Sequence, residues 1–270
     1  AGVPIQGGTL SVNQNLADLD GLGPLQFQWY ANGTALSGQT GSTLNLDQNH
    51  VGRTIQVSVR YTDGFGFDES VTSAGSAPVA NIDDEATGTL TVTGSSAEGG
   101  VLLASISDVI DPDGSTYVTW RWQGLVGDAW FDIGGATDSL LDIPSTQAWV
   151  GRSVRAVATT HDTRGGSTDI FSDSFLISNI NDPATGEVVI MGLAQEGVRL
   201  LVDNSLIDLD GLGPISYQWR SNGIDIPGAV GGSYQIRSID VGSRISVLAS
   251  FVDGGGTLET KSSFETVIVG

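Results

Sequence analysis

The sequence predicts an all-β chain of three tandem β-sandwich domains in an extended array, and three observations lead to this fold class. Glycine is frequent, with 38 among 270 residues, and short runs of alternating apolar and polar residues lie between glycine-rich turns. No stretch keeps a helical period of apolar residues. One unit also occurs three times along the chain. This repeat indicates three domains, whereas the length alone suggests about two.

Each copy of the unit carries an acidic loop and then a tryptophan. The acidic loops, DLDGLGP, DPDGSTY and DLDGLGP, begin at Asp18, Asp111 and Asp208. The tryptophans, at the same spacings of 93 and 97 residues, are Trp29, Trp122 and Trp219. Two acidic linkers separate the copies, NIDDEATG at 81–88 and NINDPATG at 179–186. These landmarks place the three repeats at residues 1–82, 83–180 and 181–270.

The strand that carries each tryptophan alternates apolar and polar residues, as a half-buried strand does. In the first repeat Leu25, Phe27 and Trp29 alternate with Gln26 and Gln28. A second alternating stretch occupies residues 55–61, 154–158 and 245–251. About seven strands in about 90–100 residues, with a tryptophan on a core strand, are typical of an immunoglobulin-like sandwich. The chain has no cysteine, so it belongs to the broader class without the inter-sheet disulfide.

The charge balance is strongly acidic, with 31 acidic against 11 basic residues and a net charge of −20. Such a chain repels phosphates and anionic lipids, so nucleic acid is not an expected partner, whereas cations are the natural counterions. No apolar run approaches the about 18 residues of a membrane-spanning helix, so direct membrane insertion is not expected. Because the chain opens AGVPIQGG, without an initiator methionine or a signal peptide, we interpret it as a piece of a longer protein.

The order DLDGLGP, FQW, NG, VG, TDG and NIDDEATG resembles the tandem Ig-like or cadherin-like repeats of large secreted bacterial adhesins of the RTX type. All three repeats, and therefore the whole chain, show the resemblance. The middle repeat departs most, with DPDGSTY instead of DLDGLGP and HDT instead of TDG. It implies non-catalytic extender modules, stiffened by calcium, that are secreted from a Gram-negative bacterium or held at its surface. The implied partners are neighbouring modules of the same chain, and the resemblance implies no particular target. A surface glycan or protein is an alternative partner, and we expect a monomer.

The acidic loops and linkers should meet, because the B–C and F–G loops of an Ig-like sandwich share the end at which the preceding linker arrives. That many carboxylates repel one another unless a hard cation with about six to eight oxygen ligands neutralises them, which favours Ca²⁺ over Mg²⁺. The candidate ligands at the first junction are Asn81, Asp83, Asp84, Asp111, Asp113 and Asp162. Those at the second are Asn179, Asn181, Asp182, Asp208, Asp210 and Asp253, to which the resemblance to cadherin linkers adds Glu98.

The first junction is predicted to bind calcium more weakly, because Gln6 stands where the second junction has Glu98. Asp47, near the E–F corner, could compensate. A half-site without linker ligands is expected at Asp18, Asp20 and Asp63 in the first repeat. Simple Asx-turns are an alternative interpretation of all these loops. They are not EF-hands, since the third acid and the terminal glutamate are absent.

A catalytic carboxylate pair would form a unique site rather than one copied into three modules, so we do not expect an enzyme. The two histidines, His50 and His161, lack partners in the other repeats and are interpreted as surface residues. Trp130 and Trp149 in the second repeat have no aromatic equivalents. Exposed together, they would form a binding module for a sugar or a protein, and otherwise they extend the packing at a sheet edge. An accessory region of a secreted enzyme is a third hypothesis.

Overall fold

The computed structural model describes all residues, 1–270, and it contains 21 β-strands, two three-residue 3-10 helices and no α-helix. The all-β prediction is confirmed. The chain forms two compact units, one made of 1–91, 105–121 and 157–172, the other of 92–104, 122–156 and 173–270. The second repeat contributes strands to both. None of the helical segments is long and apolar enough to cross a membrane.

The first repeat lies entirely in the first unit and forms a two-stranded and a four-stranded antiparallel sheet. Its strands are β1 (Thr9–Ser11), β2 (Gln26–Ala31), β3 (Thr34–Ala35), β4 (Thr43–Asn45), β5 (Ile55–Thr62) and β6 (Asp68–Thr72). β1 pairs with β4, and the larger sheet has the order β3-β2-β5-β6. Trp29 on β2 is buried with Leu10, Leu44 and Ile55, so residues of both sheets share one core. This packing makes the repeat a β-sandwich.

The strands of the second repeat are β7 (Thr87–Gly94), β8 (Val101–Ile110), β9 (Ser115–Val126), β10 (Ala129–Asp132), β11 (Leu140–Asp142), β12 (Ser153–Asp162), β13 (Ser167–Phe171) and β14 (Phe175–Leu176). In the first unit β12 pairs with β13. In the second unit β8 pairs with β11, β9 with β10, and β12 with β14. Trp122 is fully buried, and its indole N–H donates to the carbonyl of Asp138 at 3.0 Å.

The third repeat lies in the second unit and has the same four-stranded sheet as the first, with one more strand in its smaller sheet. Its strands are β15 (Val188–Met191), β16 (Arg199–Asn204), β17 (Ser216–Ser221), β18 (Ile224–Asp225), β19 (Ser233–Gln235), β20 (Ile245–Val252) and β21 (Leu258–Ser262). The sheet orders are β15-β16-β19 and β18-β17-β20-β21. Trp219 is fully buried and stacks on Tyr234 of the facing sheet, with ring centroids 5.7 Å apart. The tandem β-sandwich fold therefore follows from the alternation that surrounds each tryptophan.

The turn after the tryptophan strand has the conformation that its Asn-Gly sequence favours. Asn32 and Asn222 both have φ of 48°, and Gly33 and Gly223 both have φ of 79°. Two consecutive residues with positive φ form the tight hairpin turn that joins strands with a right-handed twist. The Asn-Gly pairs in ANG (31–33) and SNG (221–223) therefore form the turns that their residues favour.

Candidate metal centres

The first unit gathers three loops around one group of carboxylates. The loop between β8 and β9 forms an Asx-turn, in which the Asp113 N–H donates to Asp111 Oδ1 at 2.8 Å. Thr163 N–H donates to the carbonyl of Gly114 at 3.0 Å, which ties this loop to the hairpin between β12 and β13. The linker joins them, because the Asp84 N–H donates to Asp113 Oδ2 at 3.0 Å.

We call the carboxylate group formed there the first acidic site, made of Asp83, Asp113 and Asp162. One carboxylate oxygen of each residue lies within 4.8 Å of the others. Asp113 and Asp162 are buried, whereas Asp83 of the linker is exposed. Asp83 packs directly against Gly166, where an added Cβ would lie only 1.6 Å from Asp83 Oδ1. The hairpin therefore needs glycine at this position to admit the linker carboxylate.

Two glutamines of the first repeat form hydrogen bonds at or beside the first acidic site. Gln48 Nε2 donates to Asp113 Oδ1 at 2.5 Å and to the Pro112 carbonyl at 3.1 Å. Gln6 Nε2 donates to Asp84 Oδ2 at 2.6 Å, so the residue that replaces Glu98 in this repeat does lie on the linker. Gln48 was not predicted. The sequence does offer an indication. A glutamine begins QNHVG in the first repeat and QAWVG in the second, whereas the third repeat has SIDVG at the equivalent place.

The first acidic site also contains a basic side chain that was not predicted. Arg164 Nε lies 3.3 Å from Asp113 Oδ1, whose side chain is inaccessible to solvent. Arg164 is the only basic residue in the three equivalent hairpins, which read DGFGFD, DTRGGS and DGGGTL. The site therefore holds a permanent positive charge of its own.

The carboxylates of the first acidic site differ in their affinity for a proton. Partial desolvation raises the pKa of Asp83 even though the residue is exposed, and the hydrogen bond and negative charge of Asp162 raise it further. For Asp162 burial acts in the same direction, but hydrogen bonds from the backbone N–H groups of Arg164 and Gly166 outweigh it and lower the pKa. The pKa of Asp113 is also lowered, because N–H donors of Asp84, Asn81 and Gln48 and the charge of Arg164 outweigh its burial. Asp83 therefore takes up the first proton.

The second unit contains two such groups of carboxylates, which together we call the second acidic site. The first group comprises Glu98, Asp182 and Asp210, and the second comprises Asp208, Asp253 and Glu259. Within each group one carboxylate oxygen of each residue lies within 4.8 Å of the others. Burial raises the pKa of Asp208, and the charges of Glu259, Asp253 and Asp210 act in the same direction.

Gln147 donates to a loop aspartate in the second unit, as Gln48 does in the first. Its Nε2 lies 2.5 Å from Asp210 Oδ1, 2.8 Å from Asn179 Oδ1 and 3.2 Å from Glu98 Oε2. The linker is held as well, since the Asp182 N–H donates to Asp210 Oδ2 at 2.6 Å. The second repeat, the linker and the third repeat thus converge on one point.

Glu259 is the carboxylate that the sequence-based prediction missed. It accepts from the Ala184 N–H at 2.6 Å and from Asn181 Nδ2 at 2.9 Å. Thr168 occupies the equivalent place in the first unit and accepts from the Ala86 N–H at 2.9 Å. The signal was a glutamate six residues after the hairpin aspartate, present after Asp63 and Asp253 but replaced by Thr168 after Asp162.

Buried oxygens without a hydrogen-bond partner show what these sites can hold. The side-chain atoms of this kind are Gln48 Oε1, Asn81 Oδ1, Glu98 Oε1, Asp208 Oδ2 and Asp253 Oδ2. All five belong to residues of the two acidic sites or bonded to them. A buried acceptor without a partner costs about 1–3 kcal/mol, and more when it is charged. Carboxylate and amide oxygens in this concentration fit a hard divalent cation, and their number and charge favour Ca²⁺.

The remaining predicted residues lie around these groups rather than in them. Asn81 Nδ2 donates to Asp113 Oδ2 at 3.1 Å, and Asp84, Asp111, Asn179 and Asn181 make the bonds described above. Asp47 instead caps the 3-10 helix Gln48–His50, where it accepts from the Asn49 N–H at 2.9 Å.

The loop carboxylates Asp18 and Asp63 accept hydrogen bonds from groups of the first repeat itself. Asp18 accepts from the Asp20 N–H at 2.8 Å and from the Tyr61 hydroxyl at 3.0 Å. Asp63 accepts from the N–H groups of Phe65 and Phe67 at 2.9 and 2.8 Å. These aspartates and Asp20 belong to none of the three carboxylate groups.

No protein-family model matches the chain, and no curated protein matches it. Several solved structures resemble it. A Ca²⁺-stabilised adhesin with which an Antarctic bacterium binds ice is 13% identical, at a TM-score of 0.32, over 97% of this chain and 69% of the other. A tetra-tandem repeat from the extending region of a large adhesion protein is 16% identical, with a TM-score of 0.32 and coverages of 97% and 71%. The D1–D4 ectodomain fragment of ICAM-5 is 14% identical, with a TM-score of 0.38 and coverages of 98% and 74%. Likeness at this level carries no argument about function.

Proposed function

We propose that the chain is a set of three calcium-stiffened spacer modules, at residues 1–82, 83–180 and 181–270, from a secreted or cell-surface bacterial adhesin. The observation that carries the calcium proposal is the set of buried, unpartnered side-chain oxygens at the two acidic sites. The adhesin context rests on the resemblance of the repeated sequence pattern. The proposed role is mechanical rather than catalytic, and the partners are the neighbouring modules.

The donors at each site come from two repeats and the linker between them. In the first unit Gln48 of the first repeat, Asp83 of the linker and Asp113 of the second repeat meet. In the second unit Glu98 of the second repeat, Asp182 of the linker and Asp210 of the third repeat meet. Bound calcium would supply positive charge and oxygen coordination at these points. Because the donors gather in only one arrangement of adjoining repeats, calcium binding stabilises that arrangement by mass action.

Without a cation the same carboxylates oppose this arrangement. Two unit charges about 4 Å apart repel by about 4 kcal/mol at an effective dielectric constant of about 20. The second acidic site holds two groups of three carboxylates. We therefore expect the linkers to loosen when calcium is removed, while each sandwich keeps its own apolar core.

Thermal melting with calcium and with excess chelator tests the proposal, together with calorimetric titration of calcium into the metal-free chain. We expect saturable calcium binding and a clear rise of the melting temperature, since ligand at about 100 times its Kd adds about 2.7 kcal/mol of stability. Magnesium at the same concentration serves as the control and should raise the melting temperature less. An unchanged melting curve together with no heat of binding would overturn the calcium proposal.

The spacer role needs a separate measurement. Small-angle X-ray scattering of the chain in calcium should fit a single interdomain arrangement, whereas scattering in chelator should require a broad ensemble. Equal breadth in both conditions, with calcium bound, would contradict stiffening but not binding.

A further inference from the structure

A pocket in the second unit lies apart from the acidic sites and is built around Trp149. Trp149 follows Gln147 in QAWVG and corresponds to His50 in QNHVG and to Asp240 in SIDVG. His50 and Asp240 are buried and end 3-10 helices, so the interpretation of His50 as a surface residue is wrong. Asp240 accepts from the Tyr234 hydroxyl. The second repeat forms no 3-10 helix here, and Trp149 is only half-buried.

Trp149 lines a pocket of about 320 Å³. The other lining residues lie between Ile133 and Asp142, in the connection from β10 to β11 and in β11 itself. Gly134 and Gly135 face open space, since an added Cβ at either would meet no atom within 4 Å. Trp130, the other unmatched tryptophan of this repeat, is not part of the pocket and lies under the guanidinium of Arg155, 4.4 Å from its ring centroid. The two tryptophans therefore do not line one pocket.

The pocket offers both hydrogen-bond donors and hydrogen-bond acceptors that the chain itself leaves unused. The indole N–H of Trp149 and the backbone N–H groups of Gly134 and Gly135 have no partner within the protein. The carboxylates of Asp138 and Asp142, both exposed, have none either. A ligand that fills this pocket can therefore both donate and accept, next to an aromatic face.

We propose that this pocket binds a neutral hexopyranose unit of a glycan. The C–H face of a pyranose ring packs on an indole, and each of its hydroxyls both donates and accepts, which matches the donors and acceptors present. A cationic ligand would use the carboxylates but leave the three N–H groups unpaired. An anionic sugar is excluded because Asp138 and Asp142 would repel it in a chain of net charge −20. The proposal does not depend on calcium binding at the acidic sites.

Fluorine NMR on the 5-fluorotryptophan-labelled chain tests this, since the six tryptophans give six resonances and Trp149→Phe identifies the one of Trp149. The probes are the methyl glycosides of glucose, galactose and mannose, titrated in saturating calcium. We expect at least one to shift the Trp149 resonance saturably, with a Kd of about 1–10 mM, as an open site with one aromatic wall permits. Asp138→Asn and Asp142→Asn should each weaken binding about five-fold through loss of a charge-assisted hydrogen bond. Trp130→Phe is the matched control and should leave the Kd unchanged.

Two results would overturn the proposal. One is the absence of a saturable shift with all three glycosides up to about 100 mM, far above the affinity expected of such a site. The other is a saturable shift of the Trp149 resonance by choline or lysine methyl ester but by none of the sugars, which would make the pocket a cation site. The Asp138→Asn and Asp142→Asn variants keep Trp149, so they remain informative even if Trp149→Phe melts early.

Discussion

The two acidic sites occupy equivalent places in the repeat but carry different charge. The first has one group of three carboxylates, with Arg164 against Asp113 and Thr168 at the position of Glu259. The second has two groups of three, and none of its six carboxylates is paired with a basic side chain. The first acidic site therefore contains part of its own countercharge, whereas the second contains none. We therefore expect calcium to bind the second site more tightly, in agreement with the weaker first junction that Gln6 predicts.

The largest effect should come from Asp210→Ala. Asp210 accepts from Gln147 Nε2 and from the Asp182 N–H, so its loss removes the carboxylate on which the second repeat and the linker converge. We expect calcium affinity at the second site to fall at least about 100-fold, as for loss of a charged ligand and of its two hydrogen bonds. Asp20→Ala, at the equivalent position of the first repeat, is the control and should change nothing measurable by calorimetry. Full calcium stoichiometry in Asp210→Ala would show that the ligand assignment is wrong.

A reciprocal exchange tests whether Glu259 accounts for the difference in charge. Glu259→Thr should cost the second site about ten-fold in affinity or one bound ion, while Thr168→Glu should strengthen the first site by a similar factor. Thr168 and Glu259 accept from equivalent linker N–H groups, so each replacement keeps a hydrogen-bond acceptor at that place. Calorimetric stoichiometry separates the two sites. If neither variant differs from the parent chain, Glu259 is not a ligand.

Removing the positive charge of Arg164 should raise calcium affinity at the first acidic site. Arg164→Gln removes the cation beside Asp113, so calcium affinity at the first site should rise about five-fold, and the rise should shrink in high salt. The metal-free chain should melt slightly lower, because Asp113 then loses its charged partner. Arg60→Gln, on an exposed strand position of the first repeat, controls for net charge. A fall in affinity would mean that Arg164 orders the site for calcium rather than competing with it.

The smallest expected effect is on the pH dependence of the melting temperature of the metal-free chain, measured in chelator. Because the folded-state pKa of Asp83 is raised, its ionisation disfavours the folded state above its ordinary titration range, and this penalty is absent once the pH falls below that range. Asp83→Asn should therefore raise the metal-free melting temperature near neutral pH, with the difference vanishing at about pH 3. Asp18→Asn is the matched control. A stabilisation that persists at low pH would assign the effect to hydrogen bonding instead of charge.

The sequence by itself determined the all-β class, the tandem sandwiches and the segments from which the site residues come. These features are local, because alternation sets the buried face of a strand and Asn-Gly sets the turn that follows it. The topology of an Ig-like sandwich, in which the B–C and F–G loops share one end, then predicted Asp113 near Asp162 in the second repeat and Asp210 near Asp253 in the third. The resemblance to cadherin linkers supplied Glu98, which the structure does bring to Asp210.

The tertiary structure alone decided which of these oxygens are buried without a partner and which side chains join them. Gln48 and Asp113 are 65 residues apart, and Gln147 and Asp210 are 63 apart, so no local pattern links them. Arg164 and Glu259 become site residues only because the fold of their hairpins brings them next to Asp113 and to the linker N–H of Ala184. The same holds for Trp149, which lines a pocket together with residues of the β10–β11 connection. Local periodicity fixes a strand, whereas a site depends on the distance between atoms on different loops, and that distance is set only by the packed fold.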